Sequence, residues 1–177
     1  GAAVPSGLGG GDVKKICSIL LIALLLLSLS LPAYGTEEPL AYVVDYADLL
    51  TDGEEEALQQ QIQESKVTLQ LDIVIVTTYG TGSKNVQQYA DDFYDQNGYG
   101  YGESYSGILL LLDMESREWY MSTCGDAIYI FTDYGLSLLG DAILPQLSEG
   151  DYSGAFHTWL DSLSPFVDAY RNHAPID

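Results

Sequence analysis

Two nearly continuous apolar runs constrain the fold of this chain more than any other feature of its sequence. The first extends from Leu69 to Thr78 and is rich in β-branched residues, and the second extends from Ile108 to Leu112. A strand with one solvent-exposed face alternates apolar and polar residues, whereas a strand that is covered on both faces is apolar throughout. Both runs therefore predict strands inside a sheet that carries helices on each side.

The segments around these runs alternate between helical and strand patterns. Tyr42–Val44 is predicted to be a short strand that ends at Asp45, and Arg117–Cys124 to be the antiparallel partner of the second buried run. The predicted helices begin at an Asp52 cap, follow the apolar stripe from Val86 to Asn97, run from Leu136 to a stop at Pro145, run from Tyr152 to Leu163, and restart briefly at Ser164-Pro165. The order β-α-β-α-β-β-α-α predicts the α/β class, as a three-layer α/β/α sandwich with a small mixed sheet.

Residues 1–35 have the pattern of a leader. Lys14 and Lys15 precede an apolar stretch from Ile16 to Leu31, and Ala33-Tyr34-Gly35 places small residues where a signal peptidase cuts. The alternative is a retained membrane anchor, but a spanning helix needs about 20 apolar residues. We therefore expect residues 36–177 to form one secreted or extracytoplasmic domain, with its core at about 40–163, a short C-terminal helix and no stable membrane anchor after cleavage.

The charge balance excludes one class of partner. The chain carries 26 acidic and six basic side chains, for a formal charge of −20. Nucleic acids are bound by basic surfaces that displace counterions from phosphates, so DNA and RNA are not expected partners. Because 47% of the residues are hydrophobic, the chain is also not an acidic disordered polymer.

Six motifs in sequence order resemble the TPM domain family, which includes a thylakoid lumen protein, Psb32 and MOLO-1. They cover roughly residues 40–160 and are Val44–Thr51, Asp72–Thr77, Tyr89-Ala90 with Gly98-Tyr99-Gly100, Gly107–Leu111, Arg117 with Gly125 and Thr132-Asp133, and Pro145 with Gly150-Asp151-Tyr152. Ser106 departs from the usual Asn or Asp before the glycine. The resemblance implies a secreted bacterial member with an α/β/α sandwich, divalent-cation binding and, for some plant relatives, acid phosphatase activity.

The familiar devices of phosphoryl chemistry are missing from the sequence. Cys124 is not followed by an arginine at the spacing of a nucleophile loop, and there is neither an Asp-x-Asp pair nor a Walker loop. The two histidines, His157 and His173, are too few and too far apart for a di-metal centre. Any phosphoester hydrolysis would therefore depend on a cation to clamp the anion and generate the nucleophile.

Carboxylates are the candidate ligands, because Ca²⁺ and Mg²⁺ both prefer oxygen. We predict a metal site from Asp45 at the end of the first strand, Glu103 as the one charge in the glycine-rich loop Gly98–Gly107, and Asp133 at the start of the third helix, with Asp48 and Asp126 as further candidates. Simpler roles compete with ligation: Asp45 and Asp126 as turn residues and Asp133 as a helix cap. The acids of Glu54–Glu56, and Asp91, Asp92 and Asp95, are expected to lie on solvated helix faces.

Two functions from different classes follow from these residues. One is a Ca²⁺- or Mg²⁺-binding accessory or interaction module that assists an unidentified protein partner at the cell envelope. The other is a metal-dependent, acid phosphatase-like hydrolase. The shortage of bases to hold a phosphate favours the first, and the sequence leaves open whether the protein is an enzyme.

Overall fold

The computed structural model describes residues 40–176, so the predicted signal peptide lies outside the described residues. Four strands and five helices follow one another along this part of the chain: β1 (Val43–Asp45), α1 (Asp52–Leu69), β2 (Asp72–Thr78), α2 (Val86–Gln96), β3 (Gly107–Asp113), β4 (Glu118–Cys124), α3 (Ala127–Ile130), α4 (Asp133–Glu149) and α5 (Tyr152–Arg171). The chain is therefore an α/β domain, as predicted.

The strands form one mixed sheet in the order β1-β2-β3-β4. The first three are parallel, and β4 is antiparallel to β3. The end of the sheet where β1, β2 and β3 finish is called the carboxyl edge below, and the opposite end is called the amino edge. The hairpin confirms the predicted mixed sheet, because strands joined by a short turn must run antiparallel.

Helices cover both faces of the sheet unequally. Strand pairing places Ile75, Leu110 and Met121 on one face, over which α1, α4 and α5 pack as one layer. The other face carries α2, which reaches β4 through a hydrogen bond of 2.6 Å from Ser122 Oγ to Asp91 Oδ1. An aromatic cluster of Tyr42, Phe93 and Tyr99 extends this second layer, with ring centroids about 6 Å apart. The parts of the two predicted runs that form β2 and β3 lie in the centre of the three layers.

The boundary between α1 and β2 differs from the prediction. Leu69 ends the helix, Gln70 caps it in the left-handed conformation, and β2 begins only at Asp72. Leu69 continues the buried stripe of Leu58 and Ile62, so packing and not β propensity decides its state. The helix also starts from a Thr51 cap, not Asp52, because Thr51 and Glu54 form a capping box.

Two prolines predicted to mark helix ends lie inside helices instead. Pro145 lies within α4, and Pro165 lies within a continuous α5, so no separate terminal helix is present in the described residues. Proline removes the hydrogen bond to the carbonyl four residues earlier. Those carbonyls belong to Asp141 and Asp161, which are exposed, so water can replace the lost donor. The apolar stripe then continues past Pro165 into buried Phe166.

One further helix was not predicted. The four-residue α3 lies between β4 and α4, so Asp133 does not directly follow the sheet. Within residues 40–176, no helix combines the length and the apolar character needed to cross a membrane.

Candidate functional site

The carboxyl edge of β1 is organised by the side chain of Asp45. One carboxylate oxygen accepts the backbone N–H groups of Leu49 and Leu50 at 2.7 and 2.8 Å. The other accepts the hydroxyl of Thr77 from the neighbouring strand. Asp45 therefore folds the loop that follows β1 back onto the sheet, which is the turn-forming role considered from the sequence. A carboxylate offers about four lone-pair sites, so one remains open to a ligand.

The loop after Asp45 brings further acids to the same place. Asp48 adopts a left-handed backbone conformation and is exposed, and Asp52 begins α1 at the end of this loop. Glu55 lies one turn further along α1, where Asp52 and Glu55 line a shallow cleft of about 310 Å³ beside Val43. Asp45, Asp48, Asp52 and Glu55 are referred to below as the acidic cluster.

The other three acids lie near enough to Glu55 for their charges to act on it. Partial burial raises the pKa of Glu55, and repulsion from Asp45, Asp52 and Asp48 raises it further. Both effects disfavour the charged form. No ion pair joins the acidic cluster to a base within residues 40–176. A cation entering the cluster would remove this repulsion.

Glu103 and Asp126 lie at the opposite end of the sheet. Asp45 pairs with Thr77, whereas Gly107, which follows the loop of Glu103, pairs with Asp72. The five-residue offset along β2 corresponds to about 16 Å at the usual rise per residue. Glu103 is exposed, and Asp126 accepts a hydrogen bond from Ser104 of the same loop at 3.0 Å.

Asp133 forms part of neither group. It is exposed in the first turn of α4, where the helix dipole stabilises its negative charge, and Thr132 is the residue that caps the helix. Its charge also acts on Tyr120 of β4: burial raises the pKa of Tyr120, and the charges of Asp91 and Asp133 raise it further. The five predicted ligands are thus distributed over three places: Asp45 and Asp48 at the carboxyl edge, Glu103 and Asp126 at the amino edge, and Asp133 alone on α4.

No preformed metal centre is present in the part of the chain that the structure describes: no three or more His, Cys, Asp or Glu side chains there are arranged to hold an ion. Ligation by the acidic cluster would therefore require its side chains to rotate toward one another. Asp48 and Asp52 are exposed and able to do so.

Glu55 and Asp52 belong to the cluster although their sequence positions predict other roles. The sequence places Glu55 on a solvated helix face and Asp52 at a helix cap. The signal that identifies them is the short connection of residues 46–51, which must return the first turn of α1 to the end of β1. Residues three apart on a helix share a face, so Asp52 and Glu55 both face that strand end.

Most of the bases are already engaged. Lys66 pairs with Asp72 at 2.6 Å, and Lys84 pairs with Asp92 at 2.7 Å. Arg171 donates to the carbonyl oxygens of Thr68 and Leu69. None of these three groups is directed at the acidic cluster.

Comparison with known proteins gives one family match and one curated relative. The family model described as TPM domain matches residues 43–165. The UPF0603 protein YdjH of Bacillus subtilis (strain 168) is 27% identical over 147 residues, which make up 83% of this chain and 56% of that protein. The chain therefore spans about half the length of this relative.

Solved structures of bacterial domains share the fold. The N-terminal domain of a protein from P.gingivalis superposes with a TM-score of 0.64 at 21% identity, covering 78% of this chain and 88% of that one. The N-terminal domain of the cg2496 protein of Corynebacterium glutamicum superposes with a TM-score of 0.57 at 21% identity, covering 74% of this chain and 82% of that one. The BA42 protein of Bizionia argentinensis superposes with a TM-score of 0.53 at 18% identity, covering 72% of this chain and 86% of that one. At these identities the likeness concerns the fold alone.

Proposed function

This chain belongs to the TPM domain family, and on that premise we propose that it is a divalent-cation-binding interaction module of the cell envelope. The observation that carries the proposal is the loop that Asp45 folds back onto the sheet, which brings Asp48, Asp52 and Glu55 to the end of β1 without a base in ion-pair contact within residues 40–176. Carboxylates are preferred ligands of Ca²⁺ and Mg²⁺. The cation would bridge loop and helix, and so stiffen the surface that the loop presents.

A cation that binds only the folded domain raises its stability by mass action. At a hundredfold excess over the dissociation constant, the free energy of unfolding increases by about 2.7 kcal/mol. The unfolded chain keeps the four acids near one another in sequence but does not hold them in the arrangement that β1, the loop and α1 impose. It should therefore bind the cation more weakly than the folded domain. Thermal melting in CaCl₂, MgCl₂ and NaCl at matched ionic strength therefore separates specific binding from general screening of the acidic surface.

A pair of variants localises the effect. Asp48→Asn with Glu55→Gln removes two charges of the cluster, and it leaves the hydrogen bonds of Asp45 that fold the loop intact. We expect the apo domain to be at least as stable, because repulsion falls, and the Ca²⁺-dependent rise in melting temperature to shrink. Asp141→Asn with Glu149→Gln, which changes two exposed acids on α4, is the matched control. Equal loss of the Ca²⁺ shift in both variants would indicate diffuse screening and overturn the proposal.

Binding is proposed in preference to hydrolysis because phosphate lacks a receptor at this site. Lys66, Lys84 and Arg171 are held by other groups, and Arg117 lies in the β3–β4 turn, separated from β1 by β2 and β3. No base therefore adjoins the cluster to receive a phosphoester. An assay with a generic phosphomonoester, with and without Ca²⁺ or Mg²⁺, tests this directly. Cation-dependent turnover that Asp48→Asn with Glu55→Gln abolishes would establish the hydrolase instead.

The envelope location rests on the leader predicted in residues 1–35. If the leader is processed after Gly35, the exported protein begins at Thr36. Mass spectrometry of the secreted or envelope fraction should then detect an N-terminal peptide that starts at Thr36. Recovery of exported material that retains Lys14 and Lys15 would contradict cleavage.

A further inference from the structure

A second feature of the surface is a groove between the β3–β4 hairpin and the junction of α4 with α5. Its volume is about 220 Å³, and its apolar walls include Leu112, Trp119, Leu144 and Leu147. Drug-sized ligands occupy about 300–1,000 Å³, so this groove matches one or two apolar side chains.

Three polar groups also line the groove. Arg117 projects from the hairpin turn, and Ser148 and Tyr152 come from α4 and α5. The hydroxyl of Ser148 donates to the carbonyl of Leu144 at 2.7 Å, which leaves its lone pairs free to accept. A phenol can both donate and accept. The groove therefore combines apolar walls with hydrogen-bonding groups of both kinds.

Arg117 differs from the other bases of the described residues. Lys66, Lys84 and Arg171 each have a partner, whereas Arg117 makes neither an ion pair nor a hydrogen bond within residues 40–176. In a chain with a formal charge of −20, an unpaired guanidinium beside an apolar groove is a local exception. It complements an anion that carries an apolar body.

The backbone of Arg117 adds an independent observation. Its φ of 62° lies in the left-handed region, which glycine and asparagine occupy at lower cost. Strain at a surface position is a reason to examine the side chain for a function. Here the residue with the left-handed backbone is the one whose side chain contributes a guanidinium to the lining of the groove.

We propose that this groove binds the free carboxyl terminus of a partner polypeptide whose last residues are apolar. The guanidinium of Arg117 would hold the terminal carboxylate, with two parallel N–H donors matching its two oxygens. The last side chains would fill the space between Trp119 and Leu147. The hydroxyl groups of Ser148 and Tyr152 would form hydrogen bonds with the backbone N–H and C=O groups of the peptide. A fatty acid also has a carboxylate and an apolar chain, but it lacks these backbone groups, so the proposal commits to a peptide.

The proposal does not depend on the cation proposed above. Both places lie at the carboxyl edge, but the acidic cluster lies at β1 and Arg117 lies in the turn that joins β3 to β4, so β2 and β3 separate them. Peptide binding and Ca²⁺-dependent melting are separate measurements, so either proposal can fail alone.

The test uses nuclear magnetic resonance of the two tryptophan indole N–H signals. Trp119 lines the groove, whereas Trp159 is fully buried elsewhere in the core and serves as an internal reference. The probes are a pool of N-acetylated hexapeptides whose last two residues are drawn from Val, Leu, Ile and Phe, the same pool as C-terminal amides, and octanoate. We expect the free-acid pool to shift the Trp119 signal and leave the Trp159 signal in place.

Two variants assign the carboxylate contact. Arg117→Gly removes the guanidinium and suits the left-handed backbone, so the domain should melt at the same temperature or higher. It should weaken peptide binding about tenfold to a hundredfold, as should amidation of the peptide, because each removes a charge-assisted hydrogen-bond pair. Lys84→Gln removes one positive charge from an exposed pair elsewhere and should leave binding unchanged.

Four results would overturn the proposal. The first is equal binding of the amide and free-acid pools, and the second is full binding by Arg117→Gly. The third is a Trp119 shift with octanoate as large as that with the peptides, which would identify an acyl site. Absence of any Trp119 shift with the free-acid pool would equally refute it.

Discussion

The ammonium group of Lys66 lies 2.6 Å from Oδ1 of Asp72, whose carboxylate is buried at the amino edge of the sheet. The same carboxylate accepts the backbone N–H of Gly100 at 2.7 Å through Oδ2, and the phenol of Tyr42 at 3.4 Å. Partial burial lowers the pKa of Lys66, but its hydrogen bonds to Asp72 and Tyr42 outweigh that effect and raise it. One acid thus ties the end of α1, the start of β2 and the glycine-rich loop together.

We predict that Asp72→Asn reduces the free energy of unfolding by about 2–3 kcal/mol, because it leaves Lys66 partly buried without a counter-charge and weakens the anchor of Gly100. The value lies at the low end for a broken buried pair, since Lys66 retains some contact with water. Urea unfolding measures the change.

Asp92→Asn is the matched control for that variant. Asp92 pairs with Lys84 at a nearly equal distance of 2.7 Å, but both side chains are more than 40% exposed. Exposed pairs contribute about 0–1 kcal/mol. If the two variants lose equal amounts of unfolding free energy, burial does not make the Lys66–Asp72 pair more important for stability than the exposed pair.

Asp113 should contribute stability that is lost in acid. Burial raises the pKa of this carboxyl, but hydrogen bonds from Ser116 and from the amides of Glu115 and Gly80 outweigh it and lower the pKa. The contribution is therefore present above the unfolded value of about 3.9 and disappears as the pH falls through the lower native value. Asp113→Asn should reduce stability at pH 7 and flatten its decline below about pH 5.

Acid titration of unfolding for the wild type and Asp113→Asn checks this prediction. Asp95→Asn, at an exposed position of α2, is the control and should keep the wild-type slope. A slope for Asp113→Asn that matches the wild type would show that the folded and unfolded pKa values of Asp113 are equal.

Alanine should lower the free energy of unfolding at Gly107 and leave it unchanged or raise it at Gly53. A Cβ on Gly107 would overlap the hydroxyl of Tyr94 and lie 2.5 Å from the carbonyl oxygen of Asp72, whereas a Cβ on Gly53 would meet nothing within 4 Å. Gly107→Ala should cost about 1–3 kcal/mol through overpacking. Gly53→Ala, in the first turn of α1, should be neutral or stabilise the domain by up to about 1 kcal/mol. Denaturant midpoints of the two variants give the comparison.

The formal charge of −20 should make stability depend on salt. Like charges on a compact surface repel, and salt screens them. We expect the melting temperature to rise between about 20 mM and about 200 mM NaCl, where the screening length falls well below the size of the domain. A melting temperature that stays constant over this range would show that self-repulsion does not limit stability.

The sequence alone determined the elements whose signal is local or strongly repeated. The apolar runs of β2 and β3 identify buried strands because only a covered strand can be apolar on both faces. The stripe of α2 and the turn between β3 and β4 predicted their elements in the same way. The order of these elements limits the fold to a mixed α/β sheet, and the motifs carried the resemblance to the TPM domain family.

Only the tertiary structure decided how helices end and which acids meet. Pro165 reads as a break in the sequence, but Phe166 and Val167 beyond it are buried, and that burial keeps α5 continuous. Asp45, Glu103 and Asp133 have equivalent signals in the sequence, yet strand direction and the register of β2 separate Asp45 from Glu103. Glu55 joins Asp45 because a short loop returns α1 to the end of β1. Convergence depends on distances across the sheet, which a linear pattern of residues does not contain.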